Sequence, residues 1–172
     1  PGLNTLYEKA NAANPGDTIV LQAGVYYLNK TIPVVKSLVF QPANNDTQKP
    51  LLQFTGEQGG FSFFSIENGG SLKLEGIRLN GLSENAVAES FIRTSSKPMI
   101  EHYNLFVNSC DFENITDGRK HALKVNKGSF ADTISFTNCL FTDISGEVIS
   151  IAAEKEDKGI YNAEHIIFRN CV

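Results

Sequence analysis

Leu105-Phe106-Val107-Asn108-Ser109-Cys110-Asp111-Phe112-Glu113-Asn114-Ile115 carries apolar side chains at 105, 107, 110, 112 and 115, and the chain uses that spacing repeatedly. Ile134, Phe136, Cys139, Phe141 and Ile144 copy it, and Leu72, Leu74, Ile77, Leu79 and Leu82 precede it in the same pattern. Ile166, Phe168 and Cys171 open a further copy before Val172. Successive copies start 33, 29 and 32 residues apart. A period of this length marks a stacked-repeat architecture, in which each unit buries its apolar face against the next.

Within a copy the apolar residues alternate with polar ones, as in Ile134-Ser135-Phe136, which is the period of a strand. A short polar step follows: Glu75-Gly76, Asn108-Ser109, Thr137-Asn138 or Arg169-Asn170. The next corner carries Gly81, Asn114 or Asp143, residue types that tolerate a left-handed backbone. A further strand segment comes after it: Phe91-Ile92-Arg93, Leu123-Lys124-Val125 and Val148-Ile149-Ser150-Ile151. Short strands joined by tight corners, with no room for a helix between them, predict an all-β, right-handed parallel β-helix whose coils stack about 4.8 Å apart. Cys110, Cys139 and Cys171 share one position with Ile77, so they read as a file of buried free thiols; their spacing fits no zinc pattern.

The start of the chain differs. Thr5-Leu6-Tyr7-Glu8 has the form of a capping box, and Leu6, Ala10 and Ala13 lie on one face of a short helix that Asn14-Pro15-Gly16-Asp17 ends. Residues 1–17 are therefore expected to cap a stack formed by 18–172, one domain in all. The last copy breaks off without a polar cap, and the chain is expected to be a segment of a longer one. Residues 41–50 and 83–90 read as loops leaving the corners. The net charge of −4 gives no basic field for nucleic acid, and no apolar run approaches a membrane span. Phe is common, and residues such as Phe112 and Phe141 are assigned to the interior.

The opening from Thr5-Leu6-Tyr7 through Asn14-Pro15-Gly16-Asp17-Thr18-Ile19-Val20-Leu21 and Gly24-Val25-Tyr26, followed by Asn-Cys-x-Phe coils, resembles the polysaccharide lyases of family 6. These are the chondroitinase B-like and alginate lyases, built on right-handed β-helices. The stretch Ala153 to Glu164 is most similar to the second, C-terminal β-helix of two-domain alginate lyases. The resemblance implies β-elimination on a uronate polymer. A Ca²⁺ neutralises the substrate carboxylate, a Lys takes the C5 proton and an Arg assists the leaving oxygen. It further implies a catalytic β-helix in the same chain as partner, Ca²⁺ in that partner, and a periplasmic or secreted location.

The family's pattern of two Glu one residue apart, with a Lys five beyond, does not transfer. The best match puts Glu147 at the second Glu, Ser145 at the first and Ala152 at the Lys. Glu154-Lys155-Glu156 has the Glu pair, but Tyr161 stands five beyond it. No catalytic or metal-ligating residue and no cofactor is therefore assigned to this segment. The densest basic grouping is Arg119-Lys120-His121 with Lys124 and Lys127; if Ile92 and Leu123 face inward, Lys124 stacks on Arg93. Arg93, Arg119, Lys120 and Lys124 are the candidate contacts for an acidic polysaccharide such as alginate. His102, His121 and His165 show no metal-ligand spacing and read as surface or loop residues. Three functions stay open: an accessory, non-catalytic β-helix of a lyase; a carbohydrate-binding module; or an active lyase whose catalytic groups lie elsewhere. Exposed strand edges also make a homodimer an open expectation.

Overall fold

A computed structural model describes residues 1–43, 48–57, 60–152 and 162–172. After α1 (Thr5–Ala12), the strands β1 (Thr18–Leu21), β2 (Val25–Leu28) and β3 (Ile32–Val34) make one coil; β4 (Leu38–Pro42), β5 (Leu51–Phe54) and β6 (Ser62–Ile66) make the next. β7 (Leu72–Glu75), β8 (Arg78–Asn80) and β9 (Ser90–Thr94) follow, then β10 (Tyr103–Asn108), β11 (Asp111–Ile115) and β12 (His121–Val125). β13 (Ala131–Thr137), β14 (Leu140–Ile144), β15 (Ile149–Ile151) and β16 (Ala163–Arg169) complete the described strands. Each strand pairs in parallel with the strand three places on. The three sheets therefore run β1-β4-β7-β10-β13-β16, β2-β5-β8-β11-β14 and β3-β6-β9-β12-β15. This is the expected right-handed parallel β-helix.

The register matches the sequence repeat. Leu72, Leu105, Ile134 and Ile166 are successive partners, as are Leu79, Phe112 and Phe141. Inward side chains make one continuous core, in which Phe54, Phe61, Phe63, Phe91 and Phe112 follow one another at ring distances of 4.6–5.7 Å. α1 closes the first coil by packing Leu6 and Ala10 over β2 and β3.

Three local expectations need correction. The capping box does not form: Asn4, in the left-handed conformation, is the N-cap, and the Thr5 hydroxyl donates to the Gly2 carbonyl instead. The Asn4 side chain turns to the first coil, donating to Asn29 and accepting from the Asn29 and Lys30 amides. Asn114 and Asp143 take the left-handed corner conformation, but Gly81 does not. Gly81 is there for space, because a Cβ would lie 2.8 Å from Ile115 Cγ1. Of the expected loops, residues 41 and 42 belong to β4 and Ser90 opens β9.

The polar step before each cysteine is a second left-handed corner, at Gly76, Ser109, Asn138 and Asn170. Its side chains form a hydrogen-bonded file: Asn170 donates to Asn138 at 3.2 Å, Asn138 to Asn108 at 3.1 Å, and Asn108 to Glu75. The thiols form the neighbouring file. Cys110, Cys139 and Cys171 each donate to the carbonyl two residues back, at 3.3–3.5 Å. Cys110 and Cys139 are buried, and Cys171 is half-buried on the last described coil.

Burial pushes the Cys110 thiol up to about 12 and the Cys139 thiol to about 11, from an ordinary 9. The folded chain therefore keeps protons that the unfolded chain releases above pH 9. Stability from this source is complete below that pH and drains as pH rises toward the folded values, by about 1.4 kcal/mol per pH unit for each fully buried thiol. Urea midpoints should fall from about pH 8 to about pH 10, and less steeply in Cys110→Ala. Equal slopes in the two proteins would refute the assignment.

Candidate functional site

The β3-β6-β9-β12-β15 sheet carries the sequence-selected basic residues. Ile92 pairs with Phe64 and Leu123, and all three are buried. Alternation then turns the next residues outward, in the column Ser65, Arg93, Lys124, Ser150. Arg93 and Lys124 are thus direct neighbours, as their spacing predicts.

Both are engaged within the protein. Lys124 is ion-paired to Glu89, and Arg93 donates to Ser65 Oγ at 3.3 Å, while Ser65 donates to Glu67 at 2.6 Å. Lys120 reaches across to the Val87 carbonyl at 2.8 Å and lies 3.8 Å from Asp117. Arg119 stands at the corner, 91% exposed, with its Nε 3.6 Å from Asp117. The Arg119 amide donates to Asp117, and with the two nearby cations it holds that carboxyl below its usual range. Three of the four cations thus face a carboxylate, Lys124 that of Glu89 and Arg119 and Lys120 that of Asp117, while Arg93 is held by a hydroxyl.

The positions that match the lyase motif flank β15, Ser145 and Glu147 before it and Ala152 directly after it. Glu147 is 69% exposed, with one oxygen 3.9 Å from Nδ1 of His121. Ser145 offers a hydroxyl, and Ala152 offers no side-chain base; its amide donates to Val125. One carboxylate facing an imidazole is a poor match for Ca²⁺, which takes about 6–8 oxygens. These residues do not fit the family's metal centre, and no elimination step can be built on them. Glu154, Glu156 and Tyr161 lie outside the described residues.

A different grouping escaped the sequence reading. His102 Nδ1 lies 2.8 Å from Asp132 Oδ1, and Glu164 sits on the coil beyond. The three residues are separated by 30 and 32 positions, which is one repeat each time. Comparing the histidines only with one another concealed this; aligning His and acidic residues on the repeat would have found it.

No family model matches the chain, and no curated protein does. Among solved structures, the PL6 family alginate lyase AlyGC is similar at a TM-score of 0.89 and 30% identity, over 99% of this chain and 23% of that one. An arginine-to-alanine mutant of AlyGC gives 0.88 with the same identity and coverage. A protein from Parabacteroides merdae shares the fold at a TM-score of 0.53 and 13% identity, over all of this chain and 91% of that one. This chain thus spans about a quarter of the length of the alginate lyase it matches. The coils described above are a PL6-like β-helix, and they relate the chain to the polysaccharide lyases.

Proposed function

We propose that this chain is an accessory, non-catalytic β-helix of a polysaccharide lyase that cleaves alginate or a related uronate polymer by β-elimination. The carrying observation is a pairing of likeness and loss. The backbone follows an alginate lyase over 99% of its length, yet Ser145 and Ala152 stand where the motif needs a carboxylate and a base. Its partner in this reading is a catalytic β-helix in the same chain, which would hold the Ca²⁺, and its location is periplasmic or secreted. No described helix is long and apolar enough to cross a membrane.

The test is direct. Incubated with alginate or chondroitin and Ca²⁺, this chain should release no unsaturated uronate, read as absorbance near the ultraviolet edge. Formation of that product would overturn the non-catalytic reading.

The adjacency of Arg93 and Lys124 favours a second reading, a binding face for acidic glycans, with Arg119 and Lys120 at its rim. Glu89 and Asp117, which pair with three of these four cations, argue for weak affinity, since they oppose a polyanion. Under this reading, affinity for alginate oligomers falls about tenfold or more in the Arg93→Ala/Lys124→Ala double variant. Affinity unchanged in that variant would leave the supporting role alone.

A further inference from the structure

We propose that His102, Asp132 and Glu164 form a binding site for a divalent cation of the zinc class. The ligand atoms of the three side chains all lie within 4.8 Å of one another. They come from three consecutive coils, so the spacing of the sheet brings them together. Each belongs to, or adjoins, a strand of the β10-β13-β16 ribbon, the most extensively paired part of the fold.

The backbone aims them. Tyr103 pairs with Ala131 and Asn104 with Thr133, which leaves Asp132 as an extra residue in a β-bulge. A bulge interrupts alternation and redirects a side chain. Tyr103 and Ala131 both point into the core, so His102 is turned outward beside Asp132. Glu164 lies opposite Asp132 in unshifted register, because Ala131 pairs with Ala163 and Thr133 with His165. The Phe130 ring, with its centre 6.0 Å from that of His102, flanks the imidazole, and Asn104 Nδ2 lies 3.5 Å from the second Asp132 oxygen. Partners of this kind around a ligand set commonly fix its orientation.

The donor chemistry selects the ion. One imidazole nitrogen and two carboxylates suit a borderline metal at bond lengths of about 2.0–2.2 Å, which would separate ligand atoms by about 3.4 Å in a tetrahedron. The His102–Asp132 pair, at 2.8 Å, needs to open by about half an ångström, and Glu164, within 4.8 Å of both, needs to close by at most about 1.4 Å. Both are small adjustments for exposed side chains. Two carboxylates and a nitrogen fall far short of the oxygen shell that calcium takes, so calcium is the discriminating control. Solvent supplies the remaining ligands.

Isothermal titration of this chain with ZnCl₂ and CaCl₂ tests the site. The expected result is one zinc per chain, bound at least about tenfold more tightly than calcium. His102→Gln and Glu164→Gln should each weaken zinc about tenfold or more, whereas His165→Gln and His121→Gln leave it unchanged. Cobalt should give a visible absorption band in the parent protein that His102→Gln abolishes. Melting of each variant in chelator checks that the coils remain folded. Zinc bound equally by His102→Gln, zinc lost in His165→Gln instead, calcium bound as tightly as zinc, or no binding at all would each overturn the proposal.

Discussion

Gly70→Ala is expected to destabilise the protein by about 3 kcal/mol or more, a large share of the roughly 5–15 kcal/mol that holds a domain folded. An added Cβ would lie 1.8 Å from the Val34 carbonyl oxygen and 2.7 Å from its carbon, distances at which backbone must move. That oxygen is already committed: it accepts the Glu67 amide at 2.9 Å, and the Glu67 carbonyl in turn accepts the Gly70 amide. Relief would therefore break the corner between β6 and β7 and lift one coil from the coil beneath it. Gly118→Ala is the matched control, since its nearest neighbour would be the Ser145 oxygen at an ordinary 3.7 Å. Urea unfolding of the two variants should separate them widely, and coincident midpoints would show that the coils do not approach as closely as described.

The repeat was legible because it rests on the interior, where stacking demands the same residue class at the same register. Leu72, Leu105, Ile134 and Ile166 are partners in space because each must cover the one below. The cysteine file was legible for the same reason. It also has a chemical reason that the sequence does not display: at that point a thiol can both pack and donate to a carbonyl two residues back. The asparagines beside it show as turn formers in the sequence, but their mutual hydrogen bonds need the coils to be stacked.

Polar contacts that depend on two coils at once were the least legible. Arg93 beside Lys124 follows from register alone, but the Glu89 that neutralises Lys124 is 35 residues from it and reaches it across a corner. The bulge at Asp132 is likewise invisible to a count of alternating residues, and it sets Asp132 beside His102, while regular register with β16 brings Glu164 opposite. The N-terminal cap failed for a related reason. The sequence shows the local capping box, whereas Asn4 gains more by bonding to the first coil, a partner 25 residues away.

Phe112→Ala should cost about 3–5 kcal/mol, the range for removing a fully buried aromatic ring. Phe112 has no exposed surface and stacks on Phe141 at 5.1 Å with an interplanar angle of 9°. It also meets Phe91 at 5.1 Å and Phe136 at 6.0 Å, so it joins the rings of β9 below to those of β13 and β14 above. In a stacked-repeat protein, stability is close to a sum of terms within coils and terms between neighbours. Deleting this ring takes most of its effect from between neighbours. The expected signature is therefore more than a lower urea midpoint: the single transition should broaden as the coils after β11 unfold before those preceding it. Phe112→Leu keeps most of the volume and should cost about 1 kcal/mol, with the transition still sharp. A sharp transition in Phe112→Ala, at a midpoint close to that of Phe112→Leu, would mean that this ring does not couple the two parts of the stack.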